Sequence, residues 1–140
     1  MPDTDSDGTV AFNGPRELTY RVVAMPADTN AAGDIFGGWL MSQIDIAGSV
    51  LAVREARGRV ATVAVKELRF IAPIKVGDLV SCYSQVVSVG RTSVRVHVEA
   101  EASRQRSPHI EDQELVADAI LVYVALDESG RPRPIHGESQ

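Results

Sequence analysis

One long apolar helix in a chain that otherwise reads as strand leaves few folds open. From Gly38 to Val53 the only ionisable side chain is Asp45, set between Ile44 and Ile46. Gly37 to about Arg57 reads as helix: it is rich in Leu, Met, Ala and Ile, and Gly58 is its expected C-cap. Arg54 and Arg57 suit the negative end of its dipole. One helix cannot hide such a surface by itself, so the rest of the chain must cover it.

The rest is β-patterned. Leu18 to Met25 is a short β-prone run stopped by Pro26. Val60 to Ile74 is rich in valine and alternates through Val63, Val65, Leu68 and Phe70. Leu79 to Val89 follows the turn residues Gly77-Asp78. Thr92 to Ala102 puts Val94, Val96 and Val98 on one face and Ser93, Arg95, His97 and Glu99 on the other. Gly90-Arg91 suits a tight hairpin turn between those two strands. Ser103 to Gln113 is a longer polar loop, and Leu115 to Leu126, nearly all apolar, suits a central strand. The order β-α-β-β-β-β predicts an α+β domain in which a curved antiparallel sheet wraps the helix. Gly48 in mid-helix costs roughly 1 kcal/mol relative to Ala, so close approach of backbone to sheet is the expected compensation.

The chain has 140 residues, enough for one domain. Residues 1–16 and 128–140 read as flexible polar tails around a domain at 17–127. A net charge of −5 provides no basic patch for nucleic acid. No run approaches the roughly 18 apolar residues of a membrane span, and the acidic N-terminus does not read as a secretory signal. Cys82 is the single cysteine, so no intrachain disulfide can form, which agrees with a reducing cytoplasm. His97, His109 and His136 lack partners at metal-ligand spacing, so no metal is expected. Cys82 reads as a small buried apolar residue. No G-x-S-x-G elbow supports a serine hydrolase.

The most informative residue is Asp45. A lone carboxylate in an apolar helix is costly if buried without a partner. It therefore points at water, is paired, or does chemistry.

The loop Asn30-x-x-Gly33-Asp34-Ile-Phe36-Gly37-Gly38 leads into the helix Trp39-Leu-Met-Ser-Gln-Ile-Asp45-Ile-Ala-Gly48. The run Phe70-Ile-Ala-Pro73-Ile-x-Val-Gly77-Asp78 and the turn Val89-Gly90-Arg91-Thr92-Ser93 follow in order. Together, from about Tyr20 to Leu126, these resemble the YciA-type acyl-CoA thioesterases, hotdog-fold enzymes also similar to the brain-type acyl-CoA hydrolases. The resemblance implies a long central helix wrapped by the sheet. It also implies dimers joined sheet edge to sheet edge, commonly as a trimer of dimers (a hexamer), and cytosolic hydrolysis of acyl-CoA in fatty acid metabolism. No cofactor is implied, since CoA is part of the substrate, and neither nucleic acid nor a membrane is an expected partner.

Thioester hydrolysis needs an activated water, a stabilised oxyanion and a grip on CoA. The family places its catalytic carboxylate at the helical Asp, here Asp45, as general base or nucleophile. Gly37 and Gly38 offer free N–H groups at the helix start, with Gly38 the preferred oxyanion donor; the alternative is an ordinary helix entry. Asn30, by resemblance, faces Asp45 of the other subunit and orients water or thioester; otherwise it is a turn-forming Asn. Phe36 and Gly37 are expected substrate contacts. Arg91, Thr92 and Ser93 offer donors for the phosphates of CoA, Arg91 having an interface role as its alternative. Arg104 and Arg106 could add charge for the phosphates but read rather as ordinary exposed arginines, His97 as a polar-face residue, and Asp34 as a helix N-cap or Asx-turn residue. Trp39 packs, or walls the acyl channel. Lys66 and Arg69 depart from the family, which usually has an acidic residue at the first position and a small polar or amide residue near the second. Two other readings are a hotdog protein that binds acyl-CoA without hydrolysing it and a hotdog hydratase. The hydratase reading ranks last because Asp45 has no His beside it in the helix.

Overall fold

The computed structural model describes residues 15–104 and 112–136. Its elements are β1 (Glu17–Val23), a 3-10 turn (Pro26–Asp28), α1 (Gly37–Ala56), β2 (Val60–Phe70), β3 (Leu79–Val89), β4 (Ser93–Ser103) and β5 (Glu114–Ala125). The strands form one antiparallel sheet in the order β1-β3-β4-β5-β2. The apolar β5 is interior, as its composition demands. β1 and β2 are the edges. The stretch Ile71–Ile74, expected as strand, leaves the sheet after Phe70, and its first two N–H groups bond to the Val116 carbonyl.

The helix lies across one face. Leu40, Ile44, Ala47 and Leu51 recur at helical spacing and are buried against Val94, Val96 and Val98 of β4 and Leu121 and Tyr123 of β5. Gly48 allows this closeness. A Cβ there would collide with the Tyr123 hydroxyl and meet both Tyr123 Cζ and Val98 Cγ2 at 3.2 Å. Tyr123 instead donates its hydroxyl to the Asp45 carbonyl at 2.8 Å, and Thr19 donates to the Ala47 carbonyl at 2.9 Å. The glycine's propensity cost is thus offset by packing and by sheet-to-helix hydrogen bonds.

The helix end differs from expectation. Arg57, not Gly58, takes the left-handed cap conformation at φ 55°, and its N–H bonds to the Val53 carbonyl. Gly58 is small for another reason: a Cβ there would sit 2.8 Å from an Arg133 guanidinium nitrogen.

That arginine belongs to a segment whose Pro-rich, polar sequence suggests a flexible tail. Residues 128–136 are instead folded back. The Asp127 carboxylate accepts the Ser129 and Arg131 N–H groups, and Gly130 at φ 84° closes the turn. Arg133 donates to the Ala56 and Leu126 carbonyls at 2.6 and 3.0 Å, and Ile135 is buried in the core. At the other terminus, Arg16 stacks over Tyr83 at 4.0 Å and pairs with Glu99 and Glu101. Residues 1–14 and 137–140, the remainder of the expected tails, lie outside the described residues. Among the described residues, no helix is long and apolar enough to cross a membrane.

Candidate functional site

Asp45 sits in the middle of α1, half-buried, where the helix passes the edge strand β2. Thr62 donates its hydroxyl to Asp45 Oδ1 at 2.7 Å. Thr62 and Tyr123 are register partners on β2 and β5, so one rung of the sheet holds both the carboxylate and the backbone carbonyl of Asp45. The carboxylate is therefore both hydrogen-bonded and partly accessible to a substrate or water. Burial pushes the Tyr123 hydroxyl far above its ordinary pKa, with the nearby Asp45 adding to the shift, so it stays a neutral donor.

The helix start supplies the second feature. Phe36 is the N-cap residue and makes no side-chain cap bond, and the first turn carries no acid. Among the described residues, neither a cap side chain nor a first-turn acid offsets the positive end of the dipole. Gly37 and Gly38 differ. The Phe70 ring covers Gly37, at 3.4 Å from where a Cβ would stand, whereas nothing lies within 4 Å of that position at Gly38. Both glycines are exposed, and Gly38 is the one without a side chain packed over it.

Asn30 occupies the loop below this end. Its Oδ1 accepts the N–H groups of Ala32 at 2.9 Å and Asp34 at 3.1 Å, so Asn30 is the Asx-turn residue there. Asp34 is neither N-cap nor Asx-turn former; it pairs with Lys75 at 3.2 Å. The loop is fastened to the helix entry by the Phe36 N–H on the Asp28 carbonyl. An apolar groove of about 330 Å³ opens here, lined on one side by Ile35, Phe36 and Leu40 and on the other by Phe70, Ala72 and Ile74. Trp39 packs against the core.

Within one chain these parts do not meet. Asp45 is seven residues past Gly38, which at ~1.5 Å per residue is about 10 Å along the axis. Arg91, Thr92 and Ser93 are further off. They form the β3–β4 turn, closed by the Gly90 N–H on the Ser93 carbonyl at 2.7 Å. The Thr92 and Arg91 carbonyls accept from Ala125 and Ile135, beside the segment that caps the C-terminal end of the helix. That end lies about 30 Å from Gly37 for a helix of 20 residues.

Two polar clusters escaped the sequence reading. Arg69 forks onto Asp118 with bonds of 2.8 and 2.7 Å, and His97 approaches the same carboxylate at 3.4 Å. Burial raises the Asp118 pKa, but the bonds from Arg69 and His97 outweigh it and hold the group below its ordinary value. A bulge in β2 between Lys66 and Arg69, with Glu67 at φ 51°, places Arg69 opposite Asp118. The family departure at Arg69 therefore has a partner inside the chain, whereas Lys66 is exposed. The second cluster corrects the reading of Arg104 as an ordinary surface arginine. It pairs at 2.5 Å with Asp78, which is buried and also accepts the Lys75 N–H. The signal for the first lay in Asp118, an acid in the otherwise apolar run of β5. Cys82 is buried as expected, and desolvation pushes its thiol up to about 12. No cluster of three metal-ligating side chains occurs among the described residues. Arg106 and His109 lie outside them.

Comparison with known proteins agrees with this architecture. Residues 32–109 match the family model described as the thioesterase superfamily. The acyl-CoA thioester hydrolase YciA of Salmonella typhimurium is 48% identical over 128 residues, covering 91% of this chain and 96% of the relative. An uncharacterised acyl-CoA thioester hydrolase of Haemophilus influenzae is 50% identical over 122 residues, 87% of this chain and 79% of the relative. Among solved structures, an aspartate-to-alanine mutant of a hexameric broad-specificity acyl-coenzyme A thioesterase superposes with a TM-score of 0.81. It is 49% identical and covers 87% of this chain and 88% of that one. A hexameric thioesterase of Yersinia pestis superposes with a TM-score of 0.80 at 44% identity, covering 87% of this chain and 98% of that one. This chain belongs to the thioesterase superfamily and has its hotdog fold, a long helix packed on a five-stranded antiparallel sheet.

Proposed function

We propose that this protein is an acyl-CoA thioester hydrolase that releases CoA and a free fatty acid at sites shared between two subunits. The observation that carries the site is Asp45, a half-buried carboxylate in the middle of an apolar helix, anchored through Thr62 and Tyr123. Kinship with YciA hydrolases at 48% identity supports the activity, and a similar thioesterase solved as an aspartate-to-alanine mutant fits the importance of a carboxylate.

The thioester carbonyl lies against the N–H of the exposed Gly38, where the helix dipole favours the developing oxyanion. As general base, Asp45 takes a proton from water; the hydroxide adds to the carbonyl carbon, and collapse breaks the carbon–sulfur bond. The proton then passes to the departing CoA sulfur. As nucleophile, Asp45 displaces CoA to form a mixed anhydride that water cleaves. A single turnover in heavy-oxygen water separates the routes: label appears in the fatty acid on the first and in the protein when water attacks the aspartyl carbon. Neither route calls for a cofactor or a metal.

The separation of Asp45 from Gly38 within one chain supports a shared site, in which Asn30 and Gly38 of one subunit meet Asp45 of its partner. Arg91, with Thr92 and Ser93, then serves the CoA phosphates of a site built largely from other copies. The similar structures are hexamers, and a trimer of dimers is the arrangement we infer. A CoA ester as substrate and a single buried thiol favour the cytoplasm.

Thiol release from a panel of acyl-CoAs by wild type and Asp45→Asn tests the reading. We expect release by wild type and a loss of orders of magnitude in the variant, with folding and CoA binding nearly intact. Retained activity in the variant would remove Asp45 from the chemistry. No release from either, with CoA still bound, would favour a non-catalytic acyl-CoA-binding protein.

A further inference from the structure

The groove at the helix entry, which Gly37 lines, has only uncharged side chains around it, and its walls are tied together at two points. The Ile35 N–H bonds to the Ile74 carbonyl at 3.4 Å, and Lys75 pairs with Asp34 at 3.2 Å. Three large apolar lining residues, Phe36, Phe70 and Ile71, are exposed and not locked into the core, and of these it is Phe70 whose ring meets Gly37. Phe70 ends β2, is 55% exposed, and lays its ring against Gly37. A carbonyl held by the Gly38 amide would start its acyl chain one residue away from that ring.

We propose that Phe70 is a specificity-determining residue, whose ring bounds the groove receiving the acyl chain and sets the chain length preferred. This rests on the thioesterase reading above. An aliphatic chain is the occupant that the lining suits, because no charged side chain lines the groove to meet a polar group. At about 330 Å³ the groove stands at the low end of the ~300–1,000 Å³ of small-molecule sites, which favours short and medium chains. Removing the ring lengthens the groove toward the end of β2, and each methylene accommodated or excluded is worth about tenfold or more in selectivity.

The test compares kcat/KM for butyryl-CoA and palmitoyl-CoA in wild type, Phe70→Ala, Phe70→Leu and Phe70→Trp, with the oligomeric state of each measured by sedimentation. We expect the palmitoyl-to-butyryl ratio to rise about tenfold or more in the alanine variant, less in the leucine variant, and to fall in the tryptophan variant. An unchanged ratio in active variants would overturn the assignment. So would a change confined to sedimentation, which would make Phe70 a subunit contact. Absence of thiol release by wild type from every chain length is a different result: it would remove the thioesterase reading and this inference with it.

Discussion

The contact between Gly48 and Tyr123 shows how one missing methyl group positions a candidate catalytic residue. Gly48→Ala forces the tyrosine off the Asp45 carbonyl or the helix off the sheet. We expect a loss of about 1–3 kcal/mol in urea unfolding, typical of overpacking. Tyr123→Phe loses one hydrogen bond, about 1 kcal/mol, but removes the colliding oxygen. The double variant should therefore be less destabilised than the sum of the two, and simple additivity would show that the residues do not share space. Asp118 makes a pH-dependent prediction. Its folded pKa lies below the ordinary 3.8, so its pairing stabilises the protein above that value and is lost as pH falls through the folded one. The stability of wild type relative to Asp118→Asn should thus be greater at neutral pH than near pH 3. A gap independent of pH would contradict the pairing. Legibility at this scale was uneven. Asp45 and Gly48 stood out because each breaks a local rule and needs compensation. Asn30 was equally visible, and within one chain its Oδ1 serves an Asx turn. Arg104 looked unremarkable because its partner Asp78 is distant in sequence.

At the scale of elements, the helix and the strands followed from periodicity, and the interior place of β5 in the sheet from its nearly all apolar run. Expectation failed where side chains reach across the fold. The C-terminal segment reads as a tail because prolines and charges dominate it, yet Arg133 satisfies helix-end carbonyls and Ile135 fills the core below them. Ile135→Ala should cost about 2–4 kcal/mol in thermal or denaturant unfolding. A near-neutral effect would show that the segment is only lightly docked. The bulge at Glu67 was equally hidden: one extra residue in β2 changes which face Arg69 occupies, and alternation alone carries no sign of it.

At the scale of the whole molecule, several of the exposed large apolar residues lie on α1 and β2. Ile46, Val50 and Val53 recur along the outer side of α1, and Val63 and Val65 belong to the unpaired edge strand β2. A long β-branched edge beside an apolar helix stripe is a surface that demands a partner. Val63→Lys with Val65→Lys should shift the protein toward monomer in sedimentation and abolish thioester hydrolysis with it, because each site needs two chains. Full activity in a monomeric variant would place the whole site in one chain. The complementary test mixes Asn30→Ala and Asp45→Ala subunits. Recovery of activity on reassembly would confirm sharing, and its absence would argue for sites within one chain.

The sequence alone determined the helix, the β-rich remainder, the wrapping of one by the other, and the family. These follow from periodicity, composition and ordered motifs, which are properties of neighbours along the chain. It took the packed fold to show that the Phe70 ring lies over Gly37 and not over Gly38, and that Thr62 and Tyr123 hold Asp45. It alone showed that Asp45, Gly38 and Arg91 lie apart within one subunit. Those relations join residues far apart in sequence, and their distances are set by a glycine, a bulge and a folded-back terminus whose effects appear only after packing.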